Sequence, residues 1–227
     1  MPVSTKIITI DGPAASGKGT LARRLAHDIG YAYIDTGALY RLVARACLDG
    51  GIDPSDADAA ARAALGLCSG LSVADFSSPT IRTEAVSQTA SVVAAHPSVR
   101  AALLDVQKTL AHNPPALEDG KPAKGCVLDG RDTGTVICPD ADAKLFVTAS
   151  PQIRAQRRYK ELQSRGFQGT YDAVLQDMQQ RDSRDGGRDI APMVPAKDAV
   201  VIDTSAMTAD QAYDAVLGTV REKILSL

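Results

Sequence analysis

The first regular signal along the chain is the β-branched apolar run 6–11, which leads directly into the glycine-bearing stretch 12–19. This reads as a strand followed by a loop. Leu21, Leu25 and Ile29 then recur every four residues, so they share one face of a helix, with Gly30 in the place of a C-terminal cap. Residues 31–35 can form a second strand, and Leu39, Leu42, Val43 and Ala46 mark a second helix closed by Gly50 and Gly51. Further on, the apolar runs 126–129, 144–148 and 199–203 alternate with helical segments at 151–165, 170–181 and 208–226. That rhythm belongs to parallel strands buried on both faces, and it predicts an α/β fold with five strands in a wound parallel sheet. Between residues 53 and 97 the pattern weakens. An alanine-rich helix is followed by possible short strands at 71–76 and 80–82, around Ser77-Ser78-Pro79, and the region reads as an inserted subdomain. Residues 99–110 are helical, and 113–125, with three prolines and two glycines, should be an exposed connection.

Length and composition change this picture little. A chain of 227 residues, 44% hydrophobic, can bury a core without disulfides or metals, so one domain spanning 1–227 with an insertion is expected. A formal charge of −2 gives no general grip on nucleic acid or an acidic bilayer, so any anion site must be local. No apolar stretch approaches the roughly 20 residues that span a membrane, and acidic Asp11 follows so early that a secretory signal has no room. A cytoplasmic protein, working as a monomer, is the expectation. Cys47, Cys68, Cys126 and Cys138 lack the paired spacing of a zinc site and are expected reduced, and His27, His96 and His112 are equally dispersed.

Chemistry concentrates in Gly12-Pro13-Ala14-Ala15-Ser16-Gly17-Lys18, the first seven places of the phosphate-binding loop, set between a strand and a helix as its mechanism requires. Glycines let backbone N–H groups turn inward around phosphate oxygens, the next helix presents its positive end, and Lys18 supplies a mobile charge. ATP is the expected ligand. Gly19 stands where Ser or Thr is usual, so the hydroxyl for magnesium falls one place later, at Thr20. The competing reading, a bare tight turn, leaves Lys18 and the flanking elements without a purpose.

Five further blocks carry a resemblance: Ile8-Thr9-Ile10-Asp11-Gly12-Pro13, Asp35-Thr36-Gly37-Ala38-Leu39-Tyr40-Arg41, Asp129-Gly130-Arg131-Asp132-Thr133-Gly134-Thr135-Val136, Arg181-Asp182-Ser183-Arg184-Asp185-Gly186-Gly187-Arg188, and Ala191-Pro192-Met193-Val194-Pro195. In this order, with the phosphate loop, they resemble the bacterial-type cytidylate kinases among nucleoside monophosphate kinases. The resemblance covers nearly the whole chain. It implies a sheet of the P-loop kinase type, an acceptor-binding insert at 53–97 and a lid region at 154–188. It also implies transfer of the γ-phosphoryl of ATP, with Mg²⁺, to CMP or dCMP.

By that resemblance Arg41, Arg131 and Arg188 hold the acceptor phosphate, with Arg131, Arg188, Lys18 and Arg158 the catalytic cations. Ser91, Arg100 and Asp132 fall where the family reads the pyrimidine, Asp185 and Arg181 where it meets sugar and phosphate, and Thr36 near the nucleotide. Asp129 ends a buried strand near the loop and is expected to hold a water of the magnesium ion. Seven arginines lie from Arg154 to Arg188, and Arg154, Arg157 and Arg158, sharing one side of a helix, are expected to reach the donor phosphates. This chain departs from the family's pattern in two places, a 71–82 that is short and polar beside the three-stranded insert of some members, and an expanded connection at 113–125. Two rivals are weighed: another small-molecule kinase with the same loop, and a nucleotide switch without transfer activity. The only asparagine, Asn113, precedes a proline, so the Asn-Lys-x-Asp reader of a guanine switch is absent.

Overall fold

The computed structural model describes residues 5–225. Five strands, β1 (Lys6–Asp11), β2 (Ala32–Asp35), β3 (Gly125–Gly130), β4 (Ala143–Thr148) and β5 (Val200–Asp203), form one sheet in the order β2-β3-β1-β4-β5, every pair parallel. Helix α1 (Lys18–Ile29) and helix α8 (Ala209–Val220) cover one side, where Ile8, Ile10, Leu25, Leu145 and Val216 are fully or almost fully buried. On the other side Leu128, Cys126 and Ile34 pack against Ala111 and Ile137. Cores on both faces explain why the strand sequences read as apolar runs rather than as alternation.

The register sets the ends of the strands side by side. Asp11 lies opposite Gly130 of β3 and Phe146 of β4, and Asp35 lies opposite Asp129. In such sheets the crevice beyond these carboxyl ends is where ligands bind.

Helix α2 (Thr36–Asp49) leads into a second, all-helical core made with α3 (Ala57–Cys68), α4 (Glu84–Val93) and α5 (Pro97–His112), centred on Val43, Cys47, Ala60, Val93 and Leu103. Here the two short strands expected at 71–76 and 80–82 are absent. Their place is taken by 3₁₀ turns at Val73–Ser77 and Pro79–Arg82. Local bonding wins over pairing: Asp75 accepts from the Ser72 amide at 2.8 Å, Pro79 opens the second turn, and Ile81 is buried against the surrounding helices. Helix α6 (Pro151–Ser164) and helix α7 (Tyr171–Gly186) pack on each other through Ala155, Leu162, Val174 and Met178.

Two helix ends differ from expectation. Helix α7 runs five residues past Arg181, because Asp185 is drawn inward by arginines rather than by an apolar stripe that periodicity could reveal. The C-terminal helix gives way after Val220 to a turn over Arg221–Leu225, and Ser226, placed in that helix by the pattern, lies outside the described residues. Among the described residues no helix is long and apolar enough to cross a membrane.

Candidate active site

The loop between β1 and α1 is held in a shape few residues accept. Gly12 has φ +145°, and a side chain there would meet the Val147 carbonyl oxygen at 2.0 Å. Gly17 caps α1 in the left-handed region at φ +92° without any side-chain cap, which leaves the first amides of the helix for a ligand. Lys18, the first residue of the helix, is 9% exposed, with Nζ 3.4 Å from Asp129 Oδ1. Burial pushes its ammonium down to about 8, nearby Arg131 adds to this, and Asp129 and Asp35 pull the other way. The free protein therefore loses this charge as pH rises through about 8. We expect kcat/KM for ATP to fall above that pH, and kcat to fall only at higher pH because bound phosphates restore the ammonium; initial-rate profiles from pH 6 to 10 check both limbs.

Arg154 and Arg157 do not line the cleft in this structure. Arg154 donates to Ala149 O, Ala14 O and both oxygens of Asp182, and Arg157 donates to Ser16 O and to Thr204 Oγ1 and O. Backbone carbonyls of the loop have claimed these guanidinium groups, so they brace the loop from outside. Arg158 alone of the three lines the cleft, where it meets Glu84 of α4 at 2.5 Å and Glu161 at 2.9 Å.

The cleft itself has a volume of about 470 Å³. Ten cationic and five acidic side chains line it, an excess of five positive charges in a chain whose net charge is −2. Two carboxylates organise the arginines. Asp35 takes Arg41 at 2.5 Å and Arg82 at 3.3 Å; burial would raise its carboxyl, but Arg41, Arg82 and Lys18 together hold it below the ordinary carboxylate value. Asp185 takes Arg131 Nε at 3.2 Å on one oxygen and Arg188 Nη2 on the other, and Arg131, Arg188 and Arg181 outweigh its burial in the same way. Arg181, on the same face of α7 one turn earlier, is pushed down to about 10 by burial and by Arg131. After these pairings Arg41 Nε, Arg181 Nε, and Arg188 Nε and Nη1 remain buried without a hydrogen-bond partner. Buried donors of that kind are rare unless a ligand or ordered water satisfies them, and here they line a cleft open to either.

At the other end of the cleft Asp132 pairs with Arg100, whose Nη1 donates to Ala94 O at 3.3 Å and whose guanidinium stands 5.4 Å from the centre of the Tyr40 ring. Ser91 is 3% exposed and its Oγ has no partner. Thr36 lines the cleft, but its hydroxyl is spent on Asp129 O at 2.8 Å, where it ties α2 to β3. Thr20 is exposed at the mouth.

Among the described residues no group of three or more His, Cys, Asp or Glu is arranged to hold a metal ion by itself. A magnesium ion carried in on phosphates needs less. Asp129 Oδ1 is buried and accepts no hydrogen bond, while Tyr33 OH fixes the other oxygen at 3.1 Å and the carboxylate sits against Gly19. An oriented carboxylate oxygen beside the loop, with the Thr20 hydroxyl at its mouth, fits such an ion.

The structure also gathers residues that the sequence reading missed. Asp35 closes the predicted strand 31–35 directly before Thr36, and an acid at that strand end was the usable signal. Arg82, Glu84, Asp182 and Thr204 gave none, since each becomes functional only through a contact made across the fold.

Comparison with known proteins agrees over almost the whole length. A family model described as cytidylate kinase matches residues 8–222. The chain is similar to a protein named cytidylate kinase of Paramagnetospirillum magneticum, 52% identical over 217 residues, 96% of this chain and 98% of that one. Rhodospirillum rubrum has one 54% identical with the same coverage, and Methylocella silvestris one 53% identical over 93% of this chain and 92% of its own.

Proposed function

The chain belongs to the cytidylate kinase family, and from that premise we infer that its cleft transfers the γ-phosphoryl group of ATP to CMP or dCMP, giving ADP and CDP or dCDP. The observation that carries the reading is the set of unpartnered N–H groups on Arg41, Arg181 and Arg188, lining one cleft with the Lys18 loop. Two unit like charges about 4 Å apart repel by about 4 kcal/mol at an effective dielectric near 20, so two phosphate chains meet only where cations converge. Arg131 and Arg188, clamped on Asp185, present fixed forks for the acceptor phosphate. Lys18 and the amides of the loop hold the donor, and Arg158, which lines the same cleft, supplies a further cation for the transferred group. Positioning and charge suffice for phosphoryl transfer, so no general base is needed.

Mg²⁺ would be held through the donor's phosphates with Asp129 and Thr20 beside it, where it neutralises charge on the transferred group. Residues 53–97 are read as the part that closes on the acceptor and 154–188 as the lid region, with the Glu84–Arg158 contact already spanning them. A cytoplasmic monomer is part of the same proposal.

Cytosine is selected by its amine. Asp132 accepts from an exocyclic N–H, whereas a uracil carbonyl would meet its negative charge, and Arg100 holds the carboxylate in place. An ADP-release assay across CMP, dCMP, UMP, AMP and shikimate tests the whole reading; preference for any acceptor without the cytosine amine overturns it. In the same assay Asp132→Ala lowers the CMP to UMP ratio of kcat/KM by about 10- to 100-fold, the value of one hydrogen bond to a buried charge. An unchanged ratio removes Asp132 from base selection.

A further inference from the structure

One buried acid near the cleft has no part in this scheme. Asp11 closes β1 immediately before Gly12, so its backbone begins the phosphate loop, and it is 4% exposed. Its side chain turns the other way. Oδ1 accepts from the Thr133 amide at 2.9 Å and the Thr133 hydroxyl at 2.8 Å, and Oδ2 accepts from the Gly134 amide at 2.8 Å. These are the first residues after Arg131 and Asp132, which bear the acceptor contacts. The approach is close enough to demand glycine: a side chain on Gly134 would come within 2.7 Å of Thr9 Oγ1 and 3.4 Å of Asp11 Oδ2. Burial pushes the Asp11 carboxyl up to about 6 while the bonds from Gly134 and Thr133 oppose the rise, so the ionised form is held against its preference. A turn needing only to be folded is more cheaply fixed by backbone pairing or an apolar contact.

We propose that Asp11 is a positioning residue that sets the Arg131–Asp132 turn relative to the phosphate loop, so that donor and acceptor sites keep one spacing. The inference rests on the cytidylate kinase reading above. Donor binding needs the loop amides and Lys18, none of which Asp11 touches with its side chain, so the effect of losing it falls on the acceptor.

The experiment is steady-state kinetics on the full chain carrying Asp11→Asn and, separately, Thr133→Val, with thermal unfolding as a check on folding. Asparagine keeps the volume but has one carbonyl, so its amide must confront an N–H of Thr133 or Gly134. We expect KM for CMP to rise about 10-fold or more in Asp11→Asn and about 3-fold in Thr133→Val, with kcat falling as well because the spacing of the reacting groups shifts, and with KM for ATP within about 2-fold. KM values for CMP and ATP that rise in parallel mean general loosening and overturn the proposal, as does an unchanged KM for CMP. If Asp11→Asn does not fold, Thr133→Val decides alone by the same criteria. A parent protein that transfers nothing to CMP defeats the functional reading instead, which keeps the two failures apart.

Discussion

Replacing Lys18 with alanine lowers kcat by about 10³-fold while leaving the fold intact, the size expected when one preorganised charge at a developing anion is removed. The fold is spared because Lys18 stabilises little in the free protein. Its ammonium is held down to about 8, below the ordinary 10.5, so the folded state binds this proton less tightly than the unfolded chain does. The resulting cost to stability is present at pH 7 and fades as pH rises through the window between those two values. Lys18→Ala should therefore unfold at pH 7 at a temperature no lower than the parent, apart from what its packed stem contributes. Rates and thermal midpoints measured on one preparation check both halves, and near-parental turnover refutes the loop assignment.

Asp185→Ala gives the second large effect, for the opposite reason. Asp185 is 3% exposed and carries two guanidinium groups at once, Arg131 on one oxygen and Arg188 on the other. Without it two cations face each other in a buried place, and breaking a buried pair costs about 3–5 kcal/mol. The forks also lose their aim, so kcat/KM for CMP should fall about 10²- to 10³-fold, roughly the same energy, while KM for ATP moves little. Because the native carboxyl lies below its unfolded value, its contribution to stability is present above the ordinary carboxylate range and is lost as pH falls below it. Unfolding scans at pH 7 and pH 3 should therefore show a smaller gap between parent and variant at the lower pH. If kcat/KM for CMP stays within a few fold of the parent, the Arg131–Asp185–Arg188 group is not the acceptor grip.

Much of this site is legible in the sequence. Arg131 and Asp132 sit just past the end of β3, Asp129 is the last residue but one of that strand, and Arg41 lies in the helix that follows β2; strand ends in a parallel sheet are found from apolar runs. The rest was hidden for a common reason. The region 71–82 was read as strands because short mixed segments carry no decisive period, and only its burial against helices chose turns. Helical spacing gives Arg154 and Arg157 a shared side but not what that side meets, and the structure sets them against the loop carbonyls of Ala14 and Ser16.

What the sequence determined by itself was the local chemistry: a strand, a glycine loop that only a left-handed backbone can close, a lysine at the head of a helix, and apolar runs that had to become a buried parallel sheet. These follow from near neighbours, because conformational preference and periodicity are properties of adjacent residues. Tertiary structure alone decided the pairings, Asp35 with Arg41 and Arg82, Asp185 with Arg131 and Arg188, Glu84 with Arg158, Asp11 with Thr133 and Gly134. Many of those partners stand dozens of residues apart in the chain, and an electrostatic contact depends on separation in space, which the sheet register and helix packing set together.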